Sequence, residues 1–250
     1  MLNDKEKLEY NVLTIINEAD GKPLGCGSLA VRLQALGYSF SEATVGRILR
    51  DLDISGLTER AGFQGRKLSE MGTGHLISLA EKDRRLRQGA ELLAAVQGHT
   101  REQLLEVLIA RRAIEGELAA LAAENATPEE IRSLKSALDH QQSMLDTGDG
   151  VAAADVEFHS RIVQMAKNRV LAAAIALIRQ DTQLSPVLEH IRFRVRSLVI
   201  VDHQKIAESI ESGKSEKARA AMTEHINNLI ADVEKYWSVK EPPTDQPSLD

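Results

Sequence analysis

Cysteine is nearly absent. Cys26 is the single thiol in 250 residues, so the chain offers neither an internal disulfide nor a Cys-based zinc site. Aromatic residues supply only 3% of the sequence. The core is left to Leu, Ala and Ile, which suits packed helices better than sheets. No apolar run approaches the ~18 residues that a membrane span needs, so no membrane partner is expected. The opening "MLNDKEKLEYNVL" carries early acidic residues and no small-residue cleavage site, unlike a signal peptide. A cytoplasmic protein is the expectation. Excess positive charge is missing too. The net charge of -6 argues against wholesale coating of nucleic acid but leaves room for one basic face. What is present is ordinary for a globular chain: 43% apolar and 27% charged residues, enough for one large domain or two.

Two textures divide the chain, and no internal repeat is visible. Residues 1–80 hold many of the glycines, and short helices broken by turns are expected there. "KEKLEYNVLTIINEA" sets Leu8, Val12, Ile15 and Ile16 at helical spacing. "GCGSLAVRLQALG" offers Ser28 as an N-cap, a stripe of Leu29, Leu33 and Leu36, and Gly37 as the stop. In "YSFSEATVGRILRDLDISGL" Ser41 caps a helix with Val45, Ile48, Leu49 and Leu52 on one face and Gly56 at its end. "LTERAGFQGRKLSEMG" reads as two short strands around a Gly-rich turn. The order helix, helix, turn, helix, β-hairpin is a winged helix-turn-helix.

In such a module the helix after the turn enters the major groove by its N-terminal end. Ser41, Glu42, Thr44 and Val45 would face base edges, with Arg47 and Arg50 further along. Arg66 and Lys67 in the turn are placed to meet phosphate or the minor groove. Winged helices also serve as protein–protein modules, and Asp51, Asp53 and Glu59 dilute the basic face.

Residues 81–237 are Ala- and Leu-rich with few breakers and read as an all-α bundle of six or seven helices. Thr100 caps a helix carrying Leu104, Leu105, Leu108, Ile109, Ile114, Leu118 and Leu121 in register. "TPEE" places Thr127 as N-cap, Pro128 at the first helical position and Glu130 three residues on, a capping box with a Pro start. The tail, 238–250, is rich in Pro and polar residues and is read as disordered. The fold class is therefore mainly α, a winged helix-turn-helix followed by a helical bundle.

Four bundle residues form a candidate set: Asp155, His159, His203 and His225. The spacing of Asp155 and His159 puts both on one helix face, a turn apart. "SGKS" between His203 and His225 fits a helix, a turn and an antiparallel return. Three imidazoles and a carboxylate suit zinc, nickel or another divalent transition ion better than calcium or magnesium. An isolated Asp/His pair is also an ordinary helix contact, and a lone His beside an apolar stripe is also an ordinary buried histidine.

The bundle resembles the FCD ligand-binding domain of the FadR subfamily of GntR transcriptional regulators. The likeness is carried by "RRAIEGELAALAAENATPEEIRSL", "DVEFHSRIVQMAKNRVL" and "DHQKIAESIESGKSEKARAAMTEHI", in order along the chain. It implies that Asp155, His159, His203 and His225 hold a divalent metal that helps to bind a small carboxylate effector. It implies further that Arg111 lines the effector pocket, where a guanidinium pairs with a carboxylate. Asn168 is carried over as an effector-site residue or a helix cap. The usual GntR signature is absent from the N-terminal module, and "SLAVRLQALGYSFSEATVGRILRDLDISGLTER" looks more like the winged helix of archaeal nitrogen-type repressors.

The expected function is a ligand-responsive, metal-containing transcriptional regulator. It would act as a homodimer on a double-stranded DNA operator and answer to a small organic acid. Effector binding would bias the placement of the DNA-binding domains through the helical connection Glu81–Ala95. The first rival is a repressor for which the ion itself is the signal. An enzyme is the weaker alternative, because no placed general base or nucleophile motif accompanies the histidines.

Overall fold

Capping side chains open the helices that start at Asp4, Glu42, Arg101, Pro128 and Arg169. The computed structural model describes residues 2–97, 100–147, 152–179, 184–197 and 199–240. The chain divides into two units, Met1–Leu92 and Leu93–Asp250.

In the first unit Asn3 and Glu6 form a reciprocal capping box that opens α1 (Asp4–Asn17). α2 spans Cys26–Ala35 after Gly25 and starts without a side-chain cap, so Ser28 sits inside the helix rather than at its cap. Leu29 and Leu33 are buried, whereas Leu36 is 54% exposed, because the chain leaves the helix there and turns at Gly37 (φ +89°). Ser41 accepts from the Thr44 N–H and opens α3 (Glu42–Ile54), which buries Val45, Leu49 and Leu52. β1 (Thr58–Arg60) and β2 (Arg66–Leu68) pair antiparallel, with Glu59 opposite Lys67. Leu24 adds an antiparallel bridge to Arg66. That bridge needs Gly65: at φ +133° a Cβ there would stand 2.3 Å from the Leu24 carbonyl. Three helices and a hairpin around one Leu/Ile/Val core make the winged helix-turn-helix expected from sequence.

α4 (Glu70–Val96) is one continuous helix, and the division between the units falls within it, after Leu92. The second unit holds α5 (Arg101–Asn125), α6 (Pro128–Thr147), α7 (Ala152–Met165), α8 (Arg169–Ile178), α9 (Leu184–Val195), α10 (Val199–Glu211) and α11 (Ser215–Lys240). Thr100 caps α5 in a box with Gln103, and Thr127 caps α6 with Glu130. Ala119, Ala120, Ala122 and Ala123 are buried on α5, and Gly116 faces Thr223 and Arg219 of the long α11, where a Cβ would stand 3.2 Å from Thr223 Oγ1. Lys205 pairs with Glu224, and Asp202 with Asn228, so α10 and α11 run antiparallel about the turn at Gly213 (φ +66°). Ile109 is 51% exposed and stands off the stripe read from the sequence. Ser238 lies within α11, and residues 241–250 of the expected disordered tail lie outside the described residues.

Candidate functional site

α7, α10 and α11 each turn one histidine inward. His159, His203 and His225 are buried, and each offers a nitrogen within 4.8 Å of those of the other two. Their positions follow from helix periodicity. His159 follows the fully buried Phe158, His203 precedes Ile206, and His225 shares its side of α11 with Met222 and Leu229. Phe158 also stacks on the His203 ring, with centroids 4.2 Å apart.

The outer nitrogen of each ring faces an acceptor. His203 Nδ1 lies 2.8 Å from Gln141 Oε1, His225 Nδ1 lies 3.4 Å from Asp202 Oδ2, and His159 Nδ1 lies 2.6 Å from Glu115 Oε2. At His203 and His225 that acceptor selects the tautomer with its proton on Nδ1 and leaves a lone pair on Nε2, whereas His159 Nδ1 is close to Glu115 without a hydrogen bond to it. All three Nε2 atoms are buried and have no hydrogen-bond partner among the described residues. The fourth candidate approaches two of the three: Asp155 Oδ1 lies 3.5 Å from His203 Nε2 and 3.9 Å from His159 Nε2. Unpartnered buried nitrogens are costly. Three of them converging beside a carboxylate fit a divalent transition ion, with the outer acceptors fixing ring orientation as they do around bound metals.

The electrostatics keep the donors in ligating form. Burial, then the proximity of His225, holds His203 well below the usual imidazole range. Burial, then His159, does the same for His225. Burial and Arg179 lower His159 against the opposing pull of Glu115 and Asp155. All three rings are therefore neutral near pH 7. Burial alone would raise the Asp155 carboxyl, but His159, His203, Arg179 and Arg192 overcome it and keep the group ionised.

Arg111, which the resemblance gives to the effector pocket, is buried on a carboxylate. Its Nε donates to Glu115 Oε1 at 2.6 Å, and Arg179 Nη2 donates to Glu115 Oε2 at 2.9 Å. Burial raises the Glu115 carboxyl, and the two guanidiniums reverse that and hold it well below its ordinary value. Arg111 thus anchors the carboxylate that faces His159. Asn168 takes the helix-cap reading: its Oδ1 accepts from the Val170 and Leu171 N–H groups and caps α8. Glu115, Gln141, Asp202 and Arg179 were not singled out from sequence. The one available signal was the spacing of Arg111 and Glu115, four apart on a helix.

In the first unit, Ser41 Oγ lies 3.0 Å from Thr44 Oγ1, and Arg47 Nη2 reaches the same hydroxyl at 3.4 Å. Glu42, Arg47, Arg50 and Lys67 are exposed. Arg66 departs from expectation. It begins β2 rather than sitting in the turn, is only 8% exposed, and donates through Nε and Nη2 to Asp53 Oδ2, both at 3.1 Å. Thr58 donates to the other Asp53 oxygen at 2.6 Å. Arg66 therefore fastens the hairpin to α3 and is not free for phosphate.

A winged helix-turn-helix joined to an all-α unit with a histidine-lined centre is the plan of a ligand-responsive regulator. Residues 106–228 match the FCD domain, and residues 10–76 match the ribonuclease R winged-helix domain. The chain is 28% identical to the Uxu operon regulator of Haemophilus influenzae over 142 residues, 55% of this chain and 53% of that protein. It thus spans about half the length of that relative. It is 26% identical to the HTH-type transcriptional regulator LutR of Bacillus subtilis over 209 residues, 79% of this chain and 87% of that protein. Its first part is 33% identical to the global nitrogen regulator NrpRI of Methanosarcina mazei over 79 residues, 32% of this chain and 24% of that protein. The second unit carries an FCD domain, and these matches support a GntR-type regulator of the FadR kind. No described helix is long and apolar enough to cross a membrane.

Proposed function

We propose that this regulator binds an operator through its winged helix and is switched by a small carboxylate held at a metal ion. Asp155, His159, His203 and His225 hold the ion, zinc or nickel by donor type. The observation that carries this reading is the buried trio His159, His203 and His225, each with a nitrogen within 4.8 Å of the others and an unpartnered Nε2, with Asp155 Oδ1 3.5 Å from His203 Nε2. When bound, the ion supplies a positive centre to which an effector carboxylate coordinates. Gln141, Asp202 and Glu115 orient the three rings, and Arg111 and Arg179 hold Glu115 in place. Elemental analysis of protein purified without chelator tests the centre. Stoichiometric transition metal, lost on His203→Ala, is expected. Metal-free protein that also refuses reloading sinks the reading.

On the DNA side, Ser41, Glu42 and Thr44 lie at the start of α3, with Arg47, Arg50 and Lys67 exposed around them. A homodimer presents two such faces to half-sites a helical turn or more apart. Replacing Arg47 by Ala is expected to weaken operator binding and to lower the salt slope by about one. A mobility-shift titration at several salt concentrations reads both. No shift of any upstream fragment at low salt rules out the operator reading.

A metal-sensing repressor is the second reading. Four protein donors are enough to complete a tetrahedral ion without an effector. DNA affinity compared with and without chelator, at fixed effector concentration, separates the two.

A further inference from the structure

With Arg66 fastened to Asp53, a different side chain stands at the tip of the hairpin. Phe63 is exposed to 111% of its reference area, more than any other large apolar side chain among the described residues. It packs against neither apolar core. The tip that carries it is braced. The Ala61 N–H donates to the Gly65 carbonyl at 2.9 Å, and the Gln64 N–H donates to the Ala61 carbonyl at 3.1 Å. Behind the tip, Leu24 and Arg66 exchange two backbone hydrogen bonds, and Arg66 and Thr58 tie both strands to Asp53 of α3. A ring held this way meets a partner with little backbone freedom left to lose.

The tip and the start of α3 flank the same turn. A Cβ on Gly25 would stand 3.9 Å from the Gln64 carbonyl oxygen, and one on Gly27 would stand 3.2 Å from Glu42 Oε1. Two exposed cations, Arg60 and Lys67, lie on the strands behind the tip, and neither is tied to an acid among the described residues. The one acid of the hairpin, Glu59, lies opposite Lys67. A single exposed apolar side chain is ordinary on a protein surface. A bare phenyl ring on a braced tip, between two free cations and beside the end of α3 that faces DNA, has a more specific chemistry. The ring carries no hydrogen-bonding group, so it reads no base edge. It can stack on a base or wedge between two. Apolar wedges entering from the minor groove partly unstack a step and kink the duplex. Arg60 and Lys67 then meet phosphates on either side, and the exposed Gln64 amide faces the acceptors on the groove floor.

We propose that Phe63 is a wedge that enters the minor groove beside the bases read by α3 and unstacks one base step, so that the operator is selected for deformability at a position no polar side chain reads. TA and CA/TG steps yield most easily and are the expected sites. This rests on the operator reading of the first unit. The probe is the tightest duplex that the full chain selects from a random-sequence pool, with 2-aminopurine replacing one adenine at a time. Binding is expected to raise the fluorescence at an adenine of a TA or CA/TG step flanking the bases covered by α3, the sign of lost stacking. Phe63→Ala should abolish that rise and weaken binding about tenfold, the scale of base–aromatic stacking, with the salt slope unchanged because no charge is lost. Phe63→Leu keeps an apolar wedge and should keep the rise. No rise at any adenine, a rise that survives Phe63→Ala, or an alanine variant that binds as tightly as wild type overturns the wedge, while duplex binding itself leaves the operator reading standing. An alanine variant that binds as wild type but sediments differently when free assigns Phe63 to a contact between protein chains, and also overturns the wedge. A wild-type chain that selects no duplex at low salt removes the operator reading and the wedge together.

Discussion

Glu115→Gln is the most incisive perturbation of the second unit. The native carboxylate is buried and accepts from Arg111 Nε at 2.6 Å and from Arg179 Nη2 at 2.9 Å, while His159 Nδ1 lies 2.6 Å away. Side-chain exposures are 4% for Arg111, 3% for Glu115 and 15% for Arg179, so water screens little of this network. The amide is nearly isosteric but neutral and leaves two buried guanidiniums without their counter-charge. Breaking a buried pair from one side costs about 3–5 kcal/mol. The retained amide oxygen still accepts one hydrogen bond, which favours the lower end, about 3 kcal/mol. For a unit of this size each kcal/mol lowers Tm by about 2–4 °C, so a drop of about 6–12 °C is expected in chelator-treated protein. His159 loses its anionic partner as well, and metal affinity should fall about 10–100-fold. Thermal unfolding in chelator reads the first effect, and competition against a chelating metal indicator reads the second. A variant within about 2 °C of wild type and with unchanged metal affinity would refute the role given to Glu115.

Three further outcomes are expected. Gly65→Ala forces a Cβ to 2.3 Å from the Leu24 carbonyl at φ +133°, and should destabilise the first unit by at least about 2 kcal/mol in a denaturant titration; an unchanged midpoint contradicts the Leu24–Arg66 bridge. Metal-free protein should lose stability as pH falls from 7.5 to 5.5. The folded pKa of His159, His203 and His225 lies below the unfolded value near 6.5, so their contribution is whole above about pH 6.5 and declines below it, by at most about 1.4 kcal/mol per pH unit for each ring; a urea midpoint that holds steady or rises across this range counts against the buried neutral triad. Zinc at about 100-fold its dissociation constant adds about 2.7 kcal/mol, or roughly 5–11 °C in Tm; His225→Ala should abolish that increment, and retention of it would place the ion elsewhere.

Much of the plan was legible in the order of residues. Helix starts at Ser41, Thr100 and Thr127 are local, because a side chain two or three residues from the N–H it accepts needs no tertiary partner. The apolar period placed Val45, Leu49 and Leu52 on the buried face of α3 by the same short-range rule. Asp155 and His159 were set on one face by their spacing alone. Whether that pair mattered depended on two histidines more than forty residues away, and only the tertiary packing of the bundle brings a nitrogen of each ring within 4.8 Å of the others.

The tertiary structure alone decided where each charge points. Arg66 read from sequence as a phosphate-facing cation and the resemblance placed Arg111 in the effector pocket; each is buried on an acid, Asp53 in one case and Glu115 in the other. Long side chains reach several ångströms, and the partner they reach is set by which helix or strand folds over them. Asn168 kept two readings until the Val170 and Leu171 N–H groups closed on its oxygen. The sequence by itself determined the elements, the winged helix and the identity of the four candidate ligands. Folding decided that three imidazoles meet at one buried centre, with Gln141 and Asp202, brought in from other helices, at Nδ1 of His203 and His225, and the Glu115 carboxylate beside His159.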